Sequence, residues 1–192
     1  MTQADFLNSL GQRLEAAGIP FMVVGSHASS LHGIYRATTD VDIVIDPTPE
    51  QLTQFVTSLG DEIYVSPVSA QDALRRRSMF NVIDSANGMK ADLIVRKDRP
   101  FDREQFQRRR TGTLGGYSIP VASAEDIILA KLEWNRITPS ERQWQDAFNV
   151  AVVQWPRLDR DYLRRWSAEL GLTSELELLL REAEKGQPPP NP

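Results

Sequence analysis

Val24-Gly25-Ser26-His27-Ala28-Ser29-Ser30-Leu31-His32-Gly33 leads, through Ile34 to Thr39, into Asp40-Val41-Asp42-Ile43-Val44-Ile45-Asp46. An apolar run, Phe21 to Val24, stops at Gly25-Ser26. A short helix-like segment follows, and a second apolar run then carries two carboxylates. Side chains two apart on a strand share a face. Asp40 and Asp42 are therefore expected to project together beside Val44, with Val41, Ile43 and Ile45 facing the other way. Like charges on one strand face repel, and such carboxylates need a cation or a proton to sit together. A hard cation with oxygen ligands suits them, above all Mg²⁺ held by a few carboxylates plus substrate phosphates. A helix opening at Gly25-Ser26 has free backbone N–H groups that form a ready site for a triphosphate, with Gly25 allowing close approach. Ser26 either caps that helix or binds a phosphate oxygen, and the carboxylates downstream favour phosphate.

Gly25-Ser26 followed by Thr39-Asp40-Val41-Asp42 resembles the signature of the nucleotidyltransferase superfamily, the polymerase-beta-like fold. The fuller pattern is Gly-Ser-His-Ala, Leu31-His32-Gly33, Arg36-Ala37-Thr38 and Asp40-Val41-Asp42. It is similar to the small bacterial nucleotidyltransferases grouped with AbiEii-type toxins. The resemblance covers residues 20–95, and a later helical stretch extends it.

The resemblance implies a third catalytic carboxylate on a later strand, and Asp92 in Lys90-Ala91-Asp92-Leu93-Ile94-Val95 matches in context. A lone carboxylate in an apolar strand needs an explanation, since burying it unpaired is costly. An edge-strand Asp facing water is the alternative. Asp40, Asp42 and Asp92 would then be the catalytic residues and the ligands of Mg²⁺ or Mn²⁺. Gly25, Ser26, Arg36 and Lys131 would bind the nucleotide. Arg36 takes a nucleotide-facing loop position, where a guanidinium suits phosphate; a plain surface arginine is equally consistent with the residues alone. Lys131, in Glu125-Asp126-Ile127-Ile128-Leu129-Ala130-Lys131-Leu132, matches a lysine that contacts phosphates in the family. Its alternative is a stem lying over the core edge. Asp146 either orients Lys131 or the acceptor, or makes a structural ion pair.

The implied activity is Mg²⁺-dependent transfer of a nucleoside monophosphate from an NTP such as ATP to an acceptor hydroxyl, with pyrophosphate leaving. The acceptor is left open among RNA (tRNA for instance), protein and a small molecule. An antitoxin protein is an implied partner. The rival reading is a non-catalytic nucleotide-binding or partner-binding module on the same fold.

The 192 residues suit one domain, or a core with an extension. The formal charge of −4 argues against broad nucleic-acid affinity, which rests on Lys and Arg neutralising phosphates. There is no cysteine, hence no disulfide framework and no thiol chemistry. Apolar runs are too short for a membrane span and no signal-peptide pattern stands at the N-terminus, so a cytoplasmic location is expected.

Periodicity and caps predict a helix over 3–17 closed by Gly18, strands at 19–24 and 40–45, a helix over 50–59 and a strand at 62–65. Ser69-Ala70-Gln71-Asp72 reads as a helix start. Two strands, 79–83 and 89–95, flank a hairpin signal at Asn87-Gly88. A charged helix over 102–110, a glycine-rich turn over 111–116 and a strand over 117–121 follow. Ser123 opens a strong helix, and Ser140-x-x-Gln143 signals the start of another, running to 154. Helices over 158–170 and 174–184 complete the series. The arginine triplets at 75–77 and 108–110 read as solvated faces, and the four tryptophans as core and interface packing residues. The expected fold is α+β, a mixed sheet flanked by helices: a minimal nucleotidyltransferase core (1–122), a C-terminal helical extension (123–185) and a proline-rich disordered tail (186–192).

Overall fold

A computed structural model of the chain describes residues 2–35, 38 and 40–187. Contacts divide the chain into two compact units, residues 1–27 with 37–122, and residues 28–36 with 123–192.

The first unit opens with α1 (Gln3–Ala16), whose start is fixed by a reciprocal capping box between Thr2 and Asp5. Next come β1 (Phe21–Val23), the first turn of α2 (Gly25–His32), β2 (Asp40–Ile45), α3 (Pro49–Ser58), β3 (Ile63–Val65), α4 (Pro67–Arg76), β4 (Met79–Asp84), β5 (Lys90–Val95), α5 (Pro100–Gln107), β6 (Arg110–Leu114) and β7 (Tyr117–Val121). The strands form one mixed sheet in the order β3-β4-β5-β2-β1-β7-β6. β2 lies in its middle, antiparallel to β1 and parallel to β5. All three residues of β1 are buried, as are Ile43, Val44 and Ile45 of β2. Successive side chains alternate faces, so these segments are covered on both sides, which accounts for their unbroken apolar runs. Helix α1 packs on α3 and β7, and α4 packs on α3, β4 and β5. Phe6, Leu10, Leu52, Phe55 and Leu93 are completely buried in this unit's core.

Four local expectations change. Helix α4 starts at Pro67 under a Ser66 cap, whose Oγ accepts from the Ser69 N–H; Ser69 is inside the helix. A proline at the first position is pre-organised there and needs no N–H partner. Residues 111–114, read as part of a turn, are strand β6; only Gly115-Gly116 turn into β7. The charged helix ends at Gln107, short of Arg110. The hairpin at Asn87-Gly88 forms, but as a five-residue loop organised by Asp84, whose Oδ1 accepts from the N–H groups of Ala86 and Asn87.

The second unit takes the end of α2 and the helices α6 (Ala124–Ile137), α7 (Glu141–Gln154), α8 (Arg160–Leu170) and α9 (Thr173–Lys185), with a 3₁₀ turn at Trp155–Arg157. Helix α6 packs on α7 and α8, and α9 on α7 and α8. Gln154 Nε2 donates to the His32 carbonyl at 2.7 Å. The cap of α6 is a buried network: Ser123 Oγ accepts from the Asp126 N–H and donates to Asp126 Oδ2, while Tyr162 donates to Asp126 Oδ1.

Two readings are corrected here. The Ser140–Gln143 capping box does not form: Ser140 makes no side-chain cap bond, and Gln143 Oε1 is buried without a partner. Gly186 and Gln187 are tied to the end of α9, with Gln187 donating to the carbonyls of Val152 and Ala183; the rest of the expected tail, 188–192, lies outside the described residues. Among the described residues no helix is long and apolar enough to cross a membrane.

Candidate active site

In the pairing of β2 with β5, Asp42 stands opposite Asp92 and Asp40 opposite Lys90. On β4, Asn81 stands opposite Asp92. Side chains opposite one another on adjacent strands share a face. Asp40, Asp42, Lys90, Asp92 and Asn81 therefore occupy one side of the central strands. The alternate residues Val41, Ile43, Ala91 and Leu93 are fully buried on the other. Alternation thus places a polar face on strands whose opposite face is core.

The end of β1 completes this arrangement. The Val24 N–H donates to the Asp42 carbonyl at 2.9 Å, carrying the β1–β2 pairing one residue past the strand. Gly25 then turns with φ +62° into α2. A Cβ on Gly25 would lie 2.0 Å from Asp42 Oδ2 and 2.8 Å from Asp42 Cγ. The Asp42 carboxylate is seated directly against Gly25. Ser26 lies in the first helical turn, whose N–H groups have no intrahelical acceptor.

Lys90 was not singled out from the sequence. Its Nζ is 2.9 Å from Asp92 Oδ1, and Asn81 Nδ2 donates to the same oxygen. The hydrogen bond to Asp92 holds the Lys90 ammonium above its ordinary range; partial burial opposes this, and the charges of Asp92, Asp40 and Asp42 add to it. The signal was in the sequence: a lysine two residues before Asp92 on a strand must share its face.

Asp40, Asp42 and Asp92 fit a hard divalent cation in donor chemistry and in strand register. As the side chains stand, however, no group of three or more His, Asp or Glu among the described residues is gathered to hold one. An ammonium occupies Asp92 instead.

Arg36 lies outside the described residues. Lys131 belongs to the second unit, where its Nζ is 2.8 Å from Asp146 Oδ2, both side chains more than nine-tenths buried. Its ammonium is satisfied inside the helical unit and does not run out over a core edge. His27 is buried, its Nε2 has no hydrogen-bond partner, and burial holds its imidazole below the ordinary value. In the first triplet, Arg75 and Arg76 pair with Asp72 on an exposed helix face.

No protein-family model and no curated protein matches the sequence. Solved structures do match. An antigenic nucleotidyltransferase-like protein from Paracoccidioides brasiliensis superposes with a TM-score of 0.58 at 16% identity, over 93% of this chain and 91% of its own. The fold is that of the nucleotidyltransferases. The ANT(2'')-Ia structure with adenylyl-2''-tobramycin shares this nucleotidyltransferase fold with a TM-score of 0.58 at 14% identity, over 88% of this chain and 97% of its own. The lincosamide antibiotic adenylyltransferase LnuA, bound to lincomycin, does so with a TM-score of 0.53 at 13% identity, over 80% and 98%.

Proposed function

We propose that the protein is a Mg²⁺-dependent nucleotidyltransferase that moves a nucleoside monophosphate from an NTP to an acceptor hydroxyl. The observation that carries this reading is the register of Asp42 with Asp92 on parallel neighbours, with Asp40 on the same face and the start of α2 beside them. Mg²⁺, or Mn²⁺ in its place, held by Asp40, Asp42 and Asp92, supplies positive charge for the triphosphate and the attacking oxygen. Gly25 and Ser26 offer backbone N–H groups to the phosphates. Asp92 takes the acceptor hydroxyl proton as the new O–P bond forms and the bond to pyrophosphate breaks. A nucleotide-binding role for Lys131 and Arg36 rests on the sequence resemblance alone.

A small-molecule hydroxyl is the acceptor we favour. Two structures with this fold hold antibiotic ligands, adenylyl-2''-tobramycin and lincomycin. The net charge of −4, with Arg75 and Arg76 already paired to Asp72, disfavours a long phosphate backbone. A toxin role with an antitoxin partner rests on the sequence resemblance alone.

The test is incubation with Mg²⁺ and NTPs labelled at the α- or the γ-phosphate, together with an aminoglycoside and lincosamide panel or whole-cell extract. Nucleotidyl transfer labels an acceptor from the α-position only and releases γ-label as pyrophosphate. Asp42→Asn should abolish it without unfolding the protein. Label on tRNA or protein would redirect the acceptor. Nucleotide binding with no transfer to anything would leave a binding module.

A further inference from the structure

The reaction outlined above gives Lys90 no role, yet its ammonium sits on the same face as three carboxylates and is bonded to one of them. Asp92 lends Oδ1 to two donors at once, Lys90 Nζ and Asn81 Nδ2. Asp92 is largely covered, at 15% side-chain exposure, while Lys90 at 34% keeps a partly open route to water. A charge in that position lowers the pull of the face on any incoming cation, and it occupies a ligand atom directly. Three neighbouring carboxylates with nothing between them would repel.

We propose that Lys90 is a built-in counter-ion of the acidic face: it holds Asp92 in the metal-free protein and must leave Asp92 Oδ1 before a divalent cation binds all three carboxylates. This rests on the reading of Asp40, Asp42 and Asp92 as metal ligands. It adds a selectivity to that reading. A bare cation competes with the ammonium unaided. A cation arriving on a triphosphate brings further oxygen ligands, so the site favours the metal–nucleotide complex over the metal alone.

The experiment is Mn²⁺ binding to the purified protein without nucleotide, measured by calorimetry and by the loss of free Mn²⁺ resonance, for wild type, Lys90→Met and Lys90→Arg. Lys90→Met should bind Mn²⁺ about tenfold more tightly, the scale expected for removing one like charge at a partly exposed site. Lys90→Arg, which keeps the charge, should bind as wild type does. In chelator, Lys90→Met should melt below wild type, and Mn²⁺ should raise its melting temperature by more. Lys90→Gln, which keeps a donor without charge, reads the same way if Lys90→Met does not fold. Equal affinity in all variants overturns the proposal. So does weaker binding by Lys90→Met, which would make Lys90 a residue that orients Asp92 as a ligand. If no variant binds Mn²⁺ with or without NTP, the metal-dependent reading of the site falls, a result distinct from either of these.

Discussion

The carboxylate of Asp42 occupies the space in which any side chain at Gly25 would have to begin. Gly25 also holds φ at +62°, a conformation that costs other residues about 1–3 kcal/mol. Gly25→Ala should therefore lose at least that much stability and push Asp42 off the backbone. Urea unfolding of Gly25→Ala, Asp42→Ala and the double variant checks this. The double variant should lose less than the sum of the singles, because truncating Asp42 removes the colliding carboxylate. Strict additivity would mean that the two positions are independent.

Lys131 and Asp146 form a buried pair, and removing Lys131 takes a compensating charge from a buried carboxylate. Lys131→Met alone should cost about 3–5 kcal/mol, whereas Lys131→Met with Asp146→Leu should recover most of it. The double variant separates two roles. If it folds as stably as wild type but no longer binds NTP, Lys131 serves the nucleotide as well as the helical unit.

Asp126 is fully buried and takes a 2.6 Å hydrogen bond from the Tyr162 hydroxyl. Tyr162→Phe removes a donor to that carboxylate while keeping the ring. The expected loss is about 1–3 kcal/mol, the range for taking a hydrogen-bond partner from a buried polar group. The denaturant midpoint should fall with the m-value unchanged.

Burial holds the His27 imidazole below its ordinary value, with Nε2 lacking a partner to stabilise a proton. As pH falls below about 6.5, the unfolded chain takes up a proton that the folded chain resists. The unfolded state then binds more protons, so His27 contributes stability that is present above that pH and is lost as pH falls toward the folded-state value. Melting temperatures between pH 7.5 and 5.5 should drop more for wild type than for His27→Gln. Parallel pH profiles would mean that His27 does not titrate differently on folding.

The polar face was legible where alternation and context were both strong. Asp40–Ile45 is the strand that the sequence predicts, to the residue, because an apolar run with charges at every second place has few other solutions. The pairing of Asp42 with Asp92 was not readable from either strand alone; it depends on a parallel crossover through α3, β3, α4 and β4. Strand β6 is hard to read from the sequence because Gly112, with Gly115-Gly116 just beyond, outweighs the β-branched Thr111 and Thr113, although Gly115-Gly116 is a fair hairpin turn. Ser66-Pro67 is a weaker sequence signal than the capping-box pattern three residues on. The sequence offers Asp146 as one partner of Lys131 among several options; the choice depends on the packing of α7 against α6, which no single helix shows.

The long crossover between β2 and β5 also bears on how the sheet comes together. Their pairing is non-local, so it closes late and slowly relative to local helices and hairpins. β2 waits with two negative charges on one face. Had β5 carried Asp92 alone, its docking would set like charges opposite one another, which opposes strand pairing. Because Lys90 and Asp92 lie on the same side of β5, that strand arrives as a zwitterion. Its addition leaves the charge of the face unchanged, and the two strands can zip before any ion has found the site.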